Sequence, residues 1–154
     1  MIRYLCWLAA LTLAVAACGD NTSNEDPNSS DAPIGGPYPV ADLSIVVEHP
    51  DRDTIQYRLT CLGDTATITG TVDLDDQAAC RALASPDVVS RLVEGPPADQ
   101  ICTEQYGGPD VATITGIIDE QPVDTTVDRT NGCGIADWDE LLAELLPPAL
   151  GVTD

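Results

Sequence analysis

Cys102-Thr103-Glu104-Gln105-Tyr106, followed by Gly107-Gly108-Pro109 and answered downstream by Asn131-Gly132-Cys133, is the stretch whose residue types and spacing could do chemistry. A cysteine at the root of a short polar run ending at a tyrosine suits a segment anchored at one end and held out to a partner. The chemistry on offer is recognition rather than catalysis. His49 is the single histidine and precedes Pro50 in an expected turn, and no serine has a Gly-x-Ser-x-Gly setting. With the cysteines of the body oxidised, no thiol nucleophile remains, so the reading is of a protein that is not an enzyme. Acidic clusters occur at Asp73, Asp75 and Asp76, at Asp119 and Glu120, and at Asp137, Asp139 and Glu140. None has the spacing of a calcium-binding loop. In so acidic a chain they read as solvated faces, and neither a metal nor a cofactor is expected.

The elements that must position this stretch are strands and short helices. Leu43 to Glu48 and Thr54 to Thr60 alternate as strands, with His49-Pro50-Asp51 as the turn of a hairpin. Val111 to Ile118 and Pro122 to Thr130 form a second hairpin across Asp119-Glu120-Gln121. Ala66-Thr67-Ile68-Thr69-Gly70 recurs as Ala112-Thr113-Ile114-Thr115-Gly116, which reads as shared strand composition rather than duplication. Asp76 to Ala84 suits a short helix with an acidic cap, and Ser85-Pro86 opens a second one reaching Val93. Ile135, Trp138, Leu141, Leu142 and Leu145 follow helical spacing until Pro147-Pro148 ends it. The fold class expected is therefore α+β, an antiparallel sheet with two or three short helices.

Residues 1–17 carry one charge, Arg3, and then an apolar run from Leu5 to Ala17 that is too short to span a bilayer. This is a signal peptide, and Val15-Ala16-Ala17-Cys18-Gly19 matches the bacterial lipobox, which makes Cys18 the lipid-modified residue of the mature chain. The location expected is the extracytoplasmic face of the cell membrane, lipid-anchored. Residues 18–40, rich in Asn, Ser, Asp, Pro and Gly, bury too little to offset their ordering entropy and read as a tether. Residues 41–154 are left for one globular domain. The whole chain has a formal net charge of −20, with 26 acidic side chains against 6 basic ones. That excludes nucleic acid as a partner, and it repels anionic lipid, so the acyl chains on Cys18 must hold the membrane.

Cys61, Cys80, Cys102 and Cys133 imply two disulfides in an exported chain, with three connectivities open. Sequential pairing is the simplest. A zinc site would call for close cysteine pairs, which are absent.

A protease inhibitor that mimics a substrate needs an extended loop made rigid by a crosslink beside the scissile bond and by hydrogen bonds from a neighbouring segment, so that binding costs little ordering entropy. A Cys102 to Cys133 bond would supply the crosslink, and Asn131 lies within reach of the loop. Leu59-Thr60-Cys61, Gly70-Thr71, Ala79-Cys80-Arg81-Ala82-Leu83, Cys102-Thr103, Tyr106, Pro109, Thr115-Gly116, Val123 and Arg129-Thr130-Asn131-Gly132-Cys133 fall in a familiar order. Over about Ala41 to Trp138 the chain resembles the Streptomyces subtilisin inhibitor family of exported bacterial protease inhibitors.

The resemblance implies an antiparallel α+β fold, disulfides joining Cys61 to Cys80 and Cys102 to Cys133, and a reactive bond after Cys102. Carried over by position, Cys102 is P3, Thr103 P2, Glu104 P1, Gln105 P1' and Tyr106 P2', with Asn131 supporting the loop. It also implies an extracellular serine protease as partner and allows a homodimer through the sheet. Departures from the pattern are the acidic Glu104 where members carry an apolar or basic P1, the doubled Gly107-Gly108, Val72-Asp73 in place of a His-Pro pair, and a C-terminal helix over Ile135 to Leu146 in place of a closing strand. A carboxylate entering an apolar S1 pocket unpaired costs several kcal/mol, so weak inhibition of subtilisin is expected. The second reading is a cell-surface binding module that keeps this fold without inhibiting. The plainer alternative for Cys102, Cys133 and Asn131 is an ordinary disulfide-closed hairpin corner, and the inhibitor-like geometry is favoured over it because constrained loops carry recognition.

Overall fold

The computed structural model describes residues 38–149. Residues 1–17, the tether up to residue 37 and Cys18 lie outside the described residues.

Five antiparallel strands, β1 (Tyr38–His49), β2 (Arg52–Gly63), β3 (Thr65–Gly70), β4 (Val111–Ile118) and β5 (Gln121–Asp128), form one sheet in the order β3-β2-β1-β4-β5. Helices α1 (Asp76–Ala82) and α2 (Pro86–Val93) fall between β3 and β4, and α3 (Gly132–Ala136) follows β5. The period-2 pattern places Leu43, Ile45 and Val47 of β1, Tyr57, Leu59 and Cys61 of β2, and Ala112, Ile114 and Ile118 of β4 on one buried face. Ala79, Leu83, Val88, Leu92, Trp138 and Leu142 cover that face, so the helices make a single layer on the sheet. The α+β class, the antiparallel sheet and the two disulfides all follow the expectation.

Both hairpins form, with shorter turns than their apolar alternation shows. His49 pairs with Arg52 across Pro50 and Asp51, and the Asp51 N–H donates to His49 Nδ1 at 3.1 Å. β4 and β5 join through Asp119 and Glu120, whose φ values of 45° and 68° are those of a type I′ turn, matched to the twist of the strands. Asp119 also receives the Val40 N–H on its carboxylate at 2.8 Å and donates its own N–H to Val40 O at 2.7 Å. These bonds draw residues 38–40 into β1. β5 stops at Asp128 rather than Thr130 because Asp128 Oδ1 takes the Thr130 N–H at 2.8 Å and turns the chain out of the sheet. The repeated Ala-Thr-Ile-Thr-Gly fragments occupy the edge strand β3 and the inner strand β4.

The helices are shorter than expected. Asp75 caps α1, its Oδ1 accepting from Ala78 N at 2.7 Å, and Pro86 opens α2 in its first turn. The expected helix from Ile135 to Leu146 is replaced by α3, a π-helical turn over Asp137–Leu141, and irregular turns beyond it. Buried Trp138 donates Nε1–H to Pro147 O at 2.9 Å, and the Tyr57 hydroxyl on β2 donates to Leu145 O at 2.5 Å. These two bonds tie the irregular C-terminal segment down where a continuous helix would have run past them.

Candidate functional site

Cys102 bonds to Cys133 and Cys61 to Cys80, with Cα atoms 5.3 Å and 5.7 Å apart. The second bridge joins β2 to α1 within the core. The first joins the root of the 102–106 loop to α3. Ile101 is 97 % exposed and Tyr106 55 % exposed, and Thr103, Glu104 and Gln105 between them are exposed and free of regular structure.

Two backbone pins set the ends of this exposed run. On one side Gly132 N–H donates to Thr103 O at 2.9 Å. On the other Gly107 N–H donates to Arg129 O at 2.8 Å, and Gly107 O accepts from Arg129 Nε at 3.2 Å. Each pin depends on a glycine, because the body comes too close for a side chain. A Cβ on Gly132 would lie 2.1 Å from Thr103 Oγ1, and one on Gly107 would lie 2.6 Å from Ile135 Cγ1. Only Glu104, Gln105 and Tyr106 cross between the pins, so the loop is short, exposed and fixed at both ends.

Asn131, expected to support the loop, sits at the start of α3. Its Oδ1 accepts from Cys133 N and Gly134 N, both at 3.0 Å, which makes it the N-cap of α3. Asparagine is among the strongest N-caps, and β5 runs into α3 through a connection that leaves these N–H groups otherwise unpaired. Asn131 therefore fixes Gly132 and Cys133, and these hold the loop.

The acids of the C-terminal segment also have partners. Arg91, 7 % exposed, donates Nε–H to Asp137 Oδ2 at 2.6 Å and Nη1–H to Thr125 Oγ1 at 2.9 Å. Arg129, 8 % exposed, pairs through Nη1 with Asp139 Oδ1. The expected solvated face at Asp137 and Asp139 is thus half of two ion pairs to buried arginines. Sequence reading singled out the loop, both cysteines and Asn131; it assigned no role to Arg91, Arg129, Gly107, Gly132 or the exposed Ile101. Among the described residues, no three of His, Cys, Asp and Glu are grouped to hold a metal ion.

No protein-family model matches the chain, and no curated protein matches it. Among solved structures it is similar to Streptomyces caespitosus sermetstatin, in a crystal structure in complex with Bacillus licheniformis subtilisin. The two are 23% identical, the match covers 71% of this chain and 96% of that one, and the TM-score is 0.39.

Proposed function

We propose that the chain is a substrate-mimicking serine protease inhibitor, held at the cell membrane by lipid on Cys18, with Glu104-Gln105 as its reactive bond. The observation that supports this best is the exposed crossing of Glu104, Gln105 and Tyr106 between pins at Thr103 and Gly107, with a disulfide at its root. A loop ordered before it meets its partner spends little conformational entropy on binding, and exposed residues between fixed ends can enter an active-site cleft as a strand. Glu104 at P1 directs the reading to proteases whose S1 pocket pairs a carboxylate. The same acid supports the second reading, a binding module on this scaffold that inhibits nothing.

Titrating the full chain against a panel of serine proteases, glutamate-specific ones included, separates the two. Saturable inhibition with the chain recovered largely intact is the expected result. Rapid hydrolysis after Glu104 without inhibition, or no interaction at all, would leave the binding module. For the anchor, Cys18→Ser should move the chain from the membrane fraction to the soluble one, since the thiol is the acyl acceptor.

A further inference from the structure

We propose that Arg129, oriented by Asp139, is a positioning residue for the leaving side of the reactive bond, keeping the amine released by cleavage where it can re-form that bond. This rests on the inhibitor reading above. Arg129 grips both polar groups of Gly107, its carbonyl oxygen taking the Gly107 N–H at 2.8 Å and its Nε–H reaching Gly107 O at 3.2 Å. Its guanidinium is planar, so a second bond from Nη1 to Asp139 fixes the direction in which Nε points. Asp139 lies on the π-helical turn, so its pairing with Arg129 links the C-terminal segment to the loop. Ile135 of α3 also packs close to Gly107, where an added Cβ would lie 2.6 Å from its Cγ1.

Attack by a serine protease on the Glu104 carbonyl carbon forms an ester to the serine oxygen and breaks the bond to Gln105. The proton leaving the serine reaches the Gln105 nitrogen through the protease's base, and a free amine is released. In an ordinary substrate that amine departs and water takes the acyl group. Here Gln105 is two residues from a pinned Gly107, while Thr103 is held by Gly132 and Cys102 by its disulfide. The amine therefore stays at high effective concentration beside the ester. Its return re-forms the amide, frees the serine and gives back the proton, so the net result is an intact inhibitor.

The test incubates the full chain with a glutamate-specific serine protease and measures by mass spectrometry the equilibrium ratio of cleaved to intact chain, beside the association rate constant. Arg129→Met is expected to raise the ratio by at least about tenfold, as loss of a charge-assisted hydrogen bond implies, with the association rate little changed. Asp139→Asn should shift it in the same direction by less, and the double variant no further than Arg129→Met alone. A general loss of stability would move the rate and the ratio together. Because the Asp139 side chain is 43% exposed, Asp139→Asn decides the matter if Arg129→Met does not fold. Inhibition by the wild type with the ratio unmoved in the variants would overturn this inference alone. A wild-type chain inert across the panel would overturn the inhibitor reading and this inference with it.

Discussion

Gly132 donates its backbone N–H to the Thr103 carbonyl oxygen at 2.9 Å across a gap in which a single added methyl would lie 2.1 Å from the Thr103 hydroxyl oxygen. The loop is held by this closeness, and the disulfide next to it cannot replace a hydrogen bond that points at the loop's own backbone. Gly132→Ala should therefore displace Thr103 while leaving Cys102 bonded to Cys133. The expected stability cost is about 1 to 3 kcal/mol, as for overpacking elsewhere. Inhibition should weaken by a larger factor than stability falls. Hydrogen exchange over 103–107 and an inhibition assay on the same sample check both parts, and a variant that binds as the wild type does would show this pin to be dispensable.

Tyr57 offers a separate handle on the scaffold. Burial pushes its hydroxyl well above the usual tyrosine range, so in the folded chain it stays protonated and donates to Leu145 O where a free tyrosine would ionise. The unfolded chain releases this proton near pH 10 and the folded chain only at higher pH. The stabilisation is thus whole below about pH 10 and is lost above it at about 1.4 kcal/mol per pH unit. Tyr57→Phe should cost about 1 kcal/mol at neutral pH and remove that part of the alkaline slope. Denaturant midpoints at pH 8 and above pH 10 for the two proteins measure it, and parallel slopes would refute it.

Much of the fold was legible because its signals are local. Alternating Ile55, Tyr57 and Leu59 can only put one face of a strand inward, and Ser85-Pro86 marks a helix start by its own backbone chemistry. The C-terminal segment was not, because its apolar spacing fits a helix while its polar residues answer to distant partners. Asp137 meets Arg91 46 positions away, Asp139 meets Arg129, and Trp138 between them is buried. Three consecutive residues each held by a different part of the body do not fit one stripe of a regular helix. The loop was found through its cysteines, but its pins are backbone contacts, which leave no trace in residue type except the glycines that permit them. One hint was available: all six basic residues are arginine, the residue suited to buried ion pairs.

The two disulfides should separate in function. Each closes a loop of 19 or 31 positions, and such crosslinks typically stabilise by about 3 to 4 kcal/mol. Replacing Cys61 and Cys80 together by Ala should lower stability through the core, since both are buried, while leaving the loop pinned. Replacing Cys102 and Cys133 by Ser should cost inhibition first, by freeing the acyl side of the reactive bond. Thermal melts beside inhibition constants for the two double variants test the contrast. Equal loss of inhibition at equal loss of stability would show that neither bridge is special to the loop.

Glu104 should decide which protease is bound. Its side chain is exposed at the centre of the pinned run, and under the inhibitor reading it is the one that enters S1, while its neighbours make mostly backbone contacts. In an apolar S1 pocket a carboxylate without a partner loses several kcal/mol of hydration, whereas a pocket offering a cation recovers it. Glu104→Leu is therefore expected to gain at least about a hundredfold against subtilisin-like enzymes, equivalent to about 2.7 kcal/mol, and to lose affinity for glutamate-specific ones. Glu104→Lys should turn the preference to trypsin-like enzymes, whose S1 pocket carries an acid. Neither change touches a pin, so thermal stability should stay within about 0.5 kcal/mol of the wild type. Inhibition constants for the three proteins against the three protease classes supply the test: if both variants fold normally and inhibit none of them, the loop is not an inhibitory one and the surface binding module takes its place.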